Sequence, residues 1–231
     1  LHIHTQGGWA NGVIPGERYA PSYDDDDVQQ RLNGYVYAGV TTVLDVGADH
    51  EWVVKTRDRI NNGELFGPRH FTTGVAWSSA PSGWDAGNTS GGDWAASTIV
   101  ADLADLPDQV ARYKKDGIEI LKAYAGIGTV GLQALVSEAE KQGLRVIADL
   151  WMLNFNKQIA QTTGLHGWAH TGGFQVAPKE DHEWMAKNER FVIPTVVLGE
   201  LLAAGRLADE DGSRAMLEEP LIIDIWGKDA V

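Results

Sequence analysis

Seven short runs rich in β-branched and apolar residues recur along the chain with helix-patterned stretches between them, and that alternation leaves few folds open. Strands that alternate with helices pair in parallel through crossovers, so the pattern reads as repeated βα units around a parallel sheet. The runs are residues 1–5, 40–46, 70–77, 118–124, 144–150, 165–170 and 191–197. Between them the spacing predicts a helix opening at the acidic stretch Asp24–Asp27 and ending near Gly39. A polar helix follows over 49–62, helix signals resume up to Lys115, and further helices cover 129–142, stopped by Gly143, and about 179–188. The acidic opening is read as first-turn carboxylates favoured by the helix dipole rather than as a calcium site. Residues 198–231 read as mostly helical and supply no eighth strand. No linker-like shift in composition appears, so residues 1–231 are expected to form a single domain.

Composition narrows the function classes. The formal net charge of −13 argues against nucleic acid and against an anionic membrane surface, because the electrostatic part of such binding would be repulsive. With no cysteine there is neither a disulfide nor a thiolate metal site, and any metal must be held by His, Asp, Glu or a modified Lys. No apolar run is long enough to span a bilayer. The chain opens inside a strand and shows no signal peptide, so it reads as a segment of a longer protein, cytoplasmic or exported.

The first run, Leu1-His2-Ile3-His4-Thr5, carries two histidines one residue apart. Alternation along a strand sends both imidazoles to one face, an arrangement that suits a divalent cation. Alone, such a pair at a chain start is commonplace. Its weight comes from the polar residues at other strand ends, where functional groups of parallel α/β folds gather. On the fourth run Lys122 shares a face with Ile118, Ile120 and Tyr124, an uncomfortable place for an unpaired ammonium. On the fifth, Asp149 shares a face with Ile147 and Trp151. The second ends at Asp45 and the sixth at His170. If the sheet closes, His2, His4, Lys122, Asp149 and His170 converge.

With these residues in view the chain resembles the amidohydrolase superfamily, in particular its imidazolonepropionase and Xaa-Pro dipeptidase branch. The likeness rests on His2-Ile3-His4, Gly39-Val-Thr-Thr-Val-Leu-Asp-Val-Gly47, Gly67-Pro-Arg69, Ile120-Leu-Lys122, Trp168-Ala-His-Thr-Gly172 and Val192-Ile-Pro-Thr195. It implies a (β/α)8 TIM-type barrel, with strands 1 to 7 present and strand 8 missing, that holds one or two divalent metals, Zn2+ above all, with Mn2+ or Fe2+ as alternatives. By the same likeness His2 and His4 would bind the first metal and His170 the second, and Lys122, carboxylated, would bridge them. The implied reaction is hydrolysis of an amide bond in a cyclic or dipeptide-like small molecule by a metal-activated water.

Two departures stand against the family pattern. Asp149 occupies the place of a strand-five histidine, as an oxygen donor and candidate catalytic residue beside Lys122. The strand-eight aspartate has no counterpart before Val231. Tyr124, Trp151 and Thr195 are candidate substrate contacts, and Trp77 and the Gly/Ser/Trp-rich stretch 78–94 could line a pocket or form a binding loop. His50 and His182 read as solvated, and His70 and His166 as structural residues where their strands begin. Unpaired strand edges would favour a homo-oligomer. Two other readings stay open. Gly126-Ile-Gly-Thr-Val-Gly131 fits G-x-G-x-x-G after a strand, with Asp149 about 20 residues on, as in an NAD-binding oxidoreductase. A non-catalytic metal-binding fragment is the other.

Overall fold

The computed structural model of the chain describes residues 1–6, 23–78, 98–99, 103–124, 127–149, 157–170, 177–195 and 220. In chain order they form β1 (His2–Ile3), α1 (Asp25–Tyr37), β2 (Thr42–Asp45), α2 (His50–Asn61), β3 (Arg69–Thr72), β4 (Trp77–Ser78) and β5 (Thr98–Ile99). Then come α3 (Leu106–Lys115), β6 (Ile120–Ala123), α4 (Gly128–Lys141), β7 (Arg145–Ala148), α5 (Lys157–Thr163), β8 (Gly167–Ala169), α6 (Lys179–Lys187) and β9 (Phe191–Ile193). Every pairing among them is parallel. The described strands make two sheets, ordered β1-β2-β3 and β5-β4-β6-β7-β8-β9.

The helices start and bury themselves as their sequences dictate. Asp24 caps α1, its Oδ1 accepting from the N–H of Asp26 at 2.9 Å and of Asp27 at 3.3 Å, so the acidic stretch is a helix start. Asp49 does the same for α2 through the Trp52 N–H at 2.8 Å. In α4 the buried residues Leu132, Leu135, Val136 and Ala139 recur at the spacing of one helical face, and Gly143, in a left-handed conformation, ends the run as expected. Helix α5, seven residues without a clear apolar stripe, was not legible.

Each sheet buries two faces. Trp77, Leu121, Ala123, Val146, Ala148 and Trp168 pack outward against Tyr113, Leu132, Leu135 and Val136 in the main helix-to-sheet core. The alternate residues form a second cluster, in which Val46 and Leu44 of the first sheet join Ile120, Ile147, Ala169, Phe191 and Ile193 of the second. Residues from both sheets therefore share one apolar floor.

The run 70–77, expected as one strand, is two. Gly74 breaks it at φ +64, and an added Cβ there would stand 2.7 Å from His50 Nδ1, 3.0 Å from Ile118 Cδ1 and 3.1 Å from Tyr113 Cε1. The chain turns so closely over α2 and α3 that β3 stays in the first sheet while β4 joins the second. Nothing in an unbroken apolar run announces this except the glycine itself. Trp77 is fully buried on the helix side, 4.8 Å from the Tyr113 ring, so it is core and not pocket lining. Strand β5 stands where helix signals were read. Most of 78–94, Trp151, Gly126 and, Pro220 apart, 198–231 lie outside the described residues.

Candidate functional site

His4 follows β1 and is fixed by a backbone carbonyl, its Nδ1 lying 2.8 Å from Gly47 O. A carbonyl only accepts, so Nδ1 carries the hydrogen and the neutral ring holds its lone pair on Nε2. Burial lowers the pKa of His4 to about 4, aided by the positive charge of Lys122, opposed by Asp45 and the Gly47 bond, and aided again by His170. His4, beside the first sheet, thus feels the charges of Lys122 and His170 in the second.

Lys122 stands in register with Ile147, which pairs with Gly167 and through it with Phe191, so the apolar floor runs beside it. It is 3% exposed. Burial pushes its ammonium toward the neutral amine, against the pull of Asp149 and then of Asp45. Its Nζ lies 5.4 Å from the centre of the Tyr124 ring.

Asp149, directly after β7, is buried, and its Oδ2 lies 2.9 Å from His170 Nδ1. Strand alternation would turn residue 170 away from the face of Ala169. His170 departs from it with a left-handed φ of 78°, a conformation that few non-glycine residues adopt. The backbone is held there by the His170 N–H bond to Ile193 O at 2.9 Å.

Sequence reasoning missed the bonding behind His4. Asp45, fully buried, accepts from Thr5 N at 2.7 Å and from Gly47 N at 3.1 Å. Thr5 Oγ1 meets His70 Nε2 at 2.7 Å, and Arg31 Nε donates to Thr5 O at 2.9 Å. His70 is thus a fully buried partner of Thr5, its pKa lowered first by burial. The available signal was alternation, since Asp45 falls on the face opposite Leu44. His50, read as solvated, is instead packed 4.4 Å from the Tyr113 ring and bonded to Asp116 at 2.8 Å. His166 is structural as read, its Nδ1 accepting from Val146 N at 3.1 Å.

Asp149 and His170 are in contact, Lys122 feels the charge of Asp149, His4 feels those of Lys122 and His170, Tyr124 adjoins Lys122, and Thr195 is half-buried just beyond β9. For His2 the description extends to its backbone, which pairs with Leu44. Among the described residues no group of three or more His, Asp or Glu side chains is closed up as a cation cage. The donor chemistry nevertheless fits a divalent metal: a neutral imidazole whose other nitrogen is tied to a carbonyl is the usual outer bond of a metal-binding histidine, and a second imidazole lies beside a carboxylate. Gly126, which opens the 126–131 glycine run, lies outside the described residues, and Asp149 is in contact with His170. A surface groove of about 1090 Å³ along α2, bounded by Asp25, His50, Arg59 and Asp116, contains none of these residues.

No family model matches the sequence, and no curated protein matches it. Solved structures do. The chain superposes on a Xaa-Pro dipeptidase with methionine bound in its active site at a TM-score of 0.66 and 20% identity, over 92% of this chain and 59% of that one. Phenylurea hydrolase B matches at 0.61 and 18%, over 83% and 51%, and a bottromycin amidohydrolase at 0.50 and 20%, over 71% and 37%. The chain has an amidohydrolase-like fold. It spans about three fifths or less of the length of these amidohydrolase-like structures. The resemblance read from the sequence and the resemblance of the folds therefore agree.

Proposed function

We propose that the chain is part of a metal-dependent hydrolase that cleaves an amide C–N bond in a cyclic or dipeptide-like small molecule. The observation that carries this reading is the Asp149–His170 contact at the strand ends of a sheet whose apolar floor, beside Lys122, is shared with the sheet that carries His4. The floor shared by the two sheets supports placing them in one (β/α)8 barrel and one domain. In this reading His2, His4 and His170 would hold one or two cations, and Lys122, as a carbamate, would supply an anionic oxygen to them, a role that suits a lysine disfavoured as an ammonium. Zn2+ matches the nitrogen-rich set, with Mn2+ or Fe2+ as alternatives.

When bound, the metal lowers the pKa of a water and polarises the scissile carbonyl. The chain's own residues orient what surrounds it. Gly47 fixes His4 in one tautomer, and Asp149 stands 2.9 Å from His170 Nδ1. Tyr124 and Thr195 border the space a substrate would enter, and Trp151 is assigned there from its place after β7. Asp149, as the only carboxylate among these groups on that face, is the candidate to take up a proton during turnover.

The test is hydrolysis of Xaa-Pro dipeptides, N-aryl ureas and cyclic ureides by chelator-stripped protein before and after addition of Zn2+ or Mn2+. Turnover restored by metal and lost in His4→Ala and His170→Ala is expected. A metal-loaded protein inert across the panel, with zinc uptake unchanged in both variants, would overturn the reading.

A further inference from the structure

The bonds that aim His4 originate behind the sheet, from one carboxylate. Asp45 stands beside Ile3 in the β1–β2 register, one residue out of phase with the apolar floor. Its Oδ2 takes the Thr5 N–H at 2.7 Å and its Oδ1 the Gly47 N–H at 3.1 Å. Thr5 directly follows His4, and Gly47 supplies the carbonyl that holds His4 Nδ1 at 2.8 Å. One side chain thus ties the segment that carries the ring to the segment that sets its tautomer.

We propose that Asp45 is a positioning residue, holding from outside the site the two turns that orient the His4 ring and keep its lone pair on Nε2. The inference rests on His4 being a metal ligand, as argued above. The physical case is one of valence. A buried carboxylate is costly to desolvate, and asparagine would fit the same space, but its amide has one acceptor oxygen for two N–H donors. Arg31 and His70 also hold Thr5, through its carbonyl and hydroxyl, but the bonds they make do not reach Gly47. Asp45 bonds to both segments.

The experiment compares wild type, Asp45→Asn and Thr5→Val, with histidine ring nitrogens labelled for NMR in metal-free protein and Zn2+ affinity measured by chelator competition. A single Nδ1–H tautomer at His4 is expected in wild type and Thr5→Val, which keeps the Asp45 bonds. Asp45→Asn is expected to show mixed tautomers and zinc binding weaker by roughly 10–100-fold, the usual cost of losing an outer bond. Asp45→Asn with the wild-type tautomer and affinity, and merely a lower thermal midpoint, would overturn the proposal. Should that variant not fold, amide exchange in wild type decides: protected Thr5 and Gly47 amides support the clamp, and exchange at open-loop rates removes it. Wild type that takes up no zinc would count against the metal reading, whereas a zinc-binding protein indifferent to Asp45→Asn counts against Asp45 alone.

Discussion

His170 Nδ1 lies 2.9 Å from Asp149 Oδ2, a contact between the ends of β8 and β7 that the left-handed backbone at residue 170 makes geometrically accessible. The carboxylate that follows β7 therefore stands against a neighbouring imidazole. A carboxylate this close to Nδ1 leaves Nε2 on the other side of the imidazole.

Removing that orienting group should weaken the site in steps. Asp149→Asn, which still offers an acceptor oxygen, is expected to lower zinc affinity about tenfold, and Asp149→Ala nearer a hundredfold. Competition with a chromophoric chelator measures both. Equal affinity in all three proteins would show that the pair plays no part in metal binding.

Lys122 sets function against stability. Its ammonium is buried at 3% exposure, and desolvation outweighs the attraction of Asp149 and Asp45. Lys122→Met keeps the volume and removes the charge, so it should abolish turnover while raising the thermal midpoint of the metal-free protein. A gain of about 1 kcal/mol would appear as roughly 2–4 °C in a chain of this size. A fall in the midpoint would mean that the two carboxylates depend on the lysine more than burial penalises it.

The site was more legible than the scaffold behind it. Alternation places Lys122 and Asp149 on one face whatever the neighbours are, so the strand ends to inspect could be read from spacing, whereas the turn of His170 toward Asp149 depends on a left-handed backbone that alternation does not foretell. The Thr5–His70 bond could not, because it joins residues 65 apart on strands that are not neighbours in the sheet. His50 looked solvated because a helix start is usually wet, and its burial depends on Tyr113 and Asp116 arriving from α3 and the turn after it. Trp77 misled for the same reason, since its face is set by the break at Gly74.

That break yields a stability prediction. Gly74→Ala meets both the left-handed backbone, about 1–2 kcal/mol, and overpacking against His50, Ile118 and Tyr113, about 1–3 kcal/mol. A thermal midpoint lower by on the order of 10 °C is expected. A near-wild-type melting curve would show that the strand break is soft.

Acid sensitivity should arise in part at His166. Its Nδ1 must be unprotonated to accept from Val146 N, and burial, with Arg190 next, lowers its pKa despite Glu140. The unfolded chain then binds the proton more readily, so this contribution is intact above about pH 6.5 and is lost as the pH falls toward the lowered native value. Urea unfolding of His166→Asn between pH 5 and 8 should show a shallower pH slope than wild type, with His70 supplying part of the remainder. An unchanged slope would remove His166 from the account.

The most direct measurement is an anomalous difference map at the zinc edge from crystals grown with Zn2+. A peak about 2.0–2.1 Å from His4 Nε2, in the space shared with Lys122 and His170, is predicted. Fully ordered, zinc-soaked crystals with no peak among these three residues would contradict the metal centre on which the account depends.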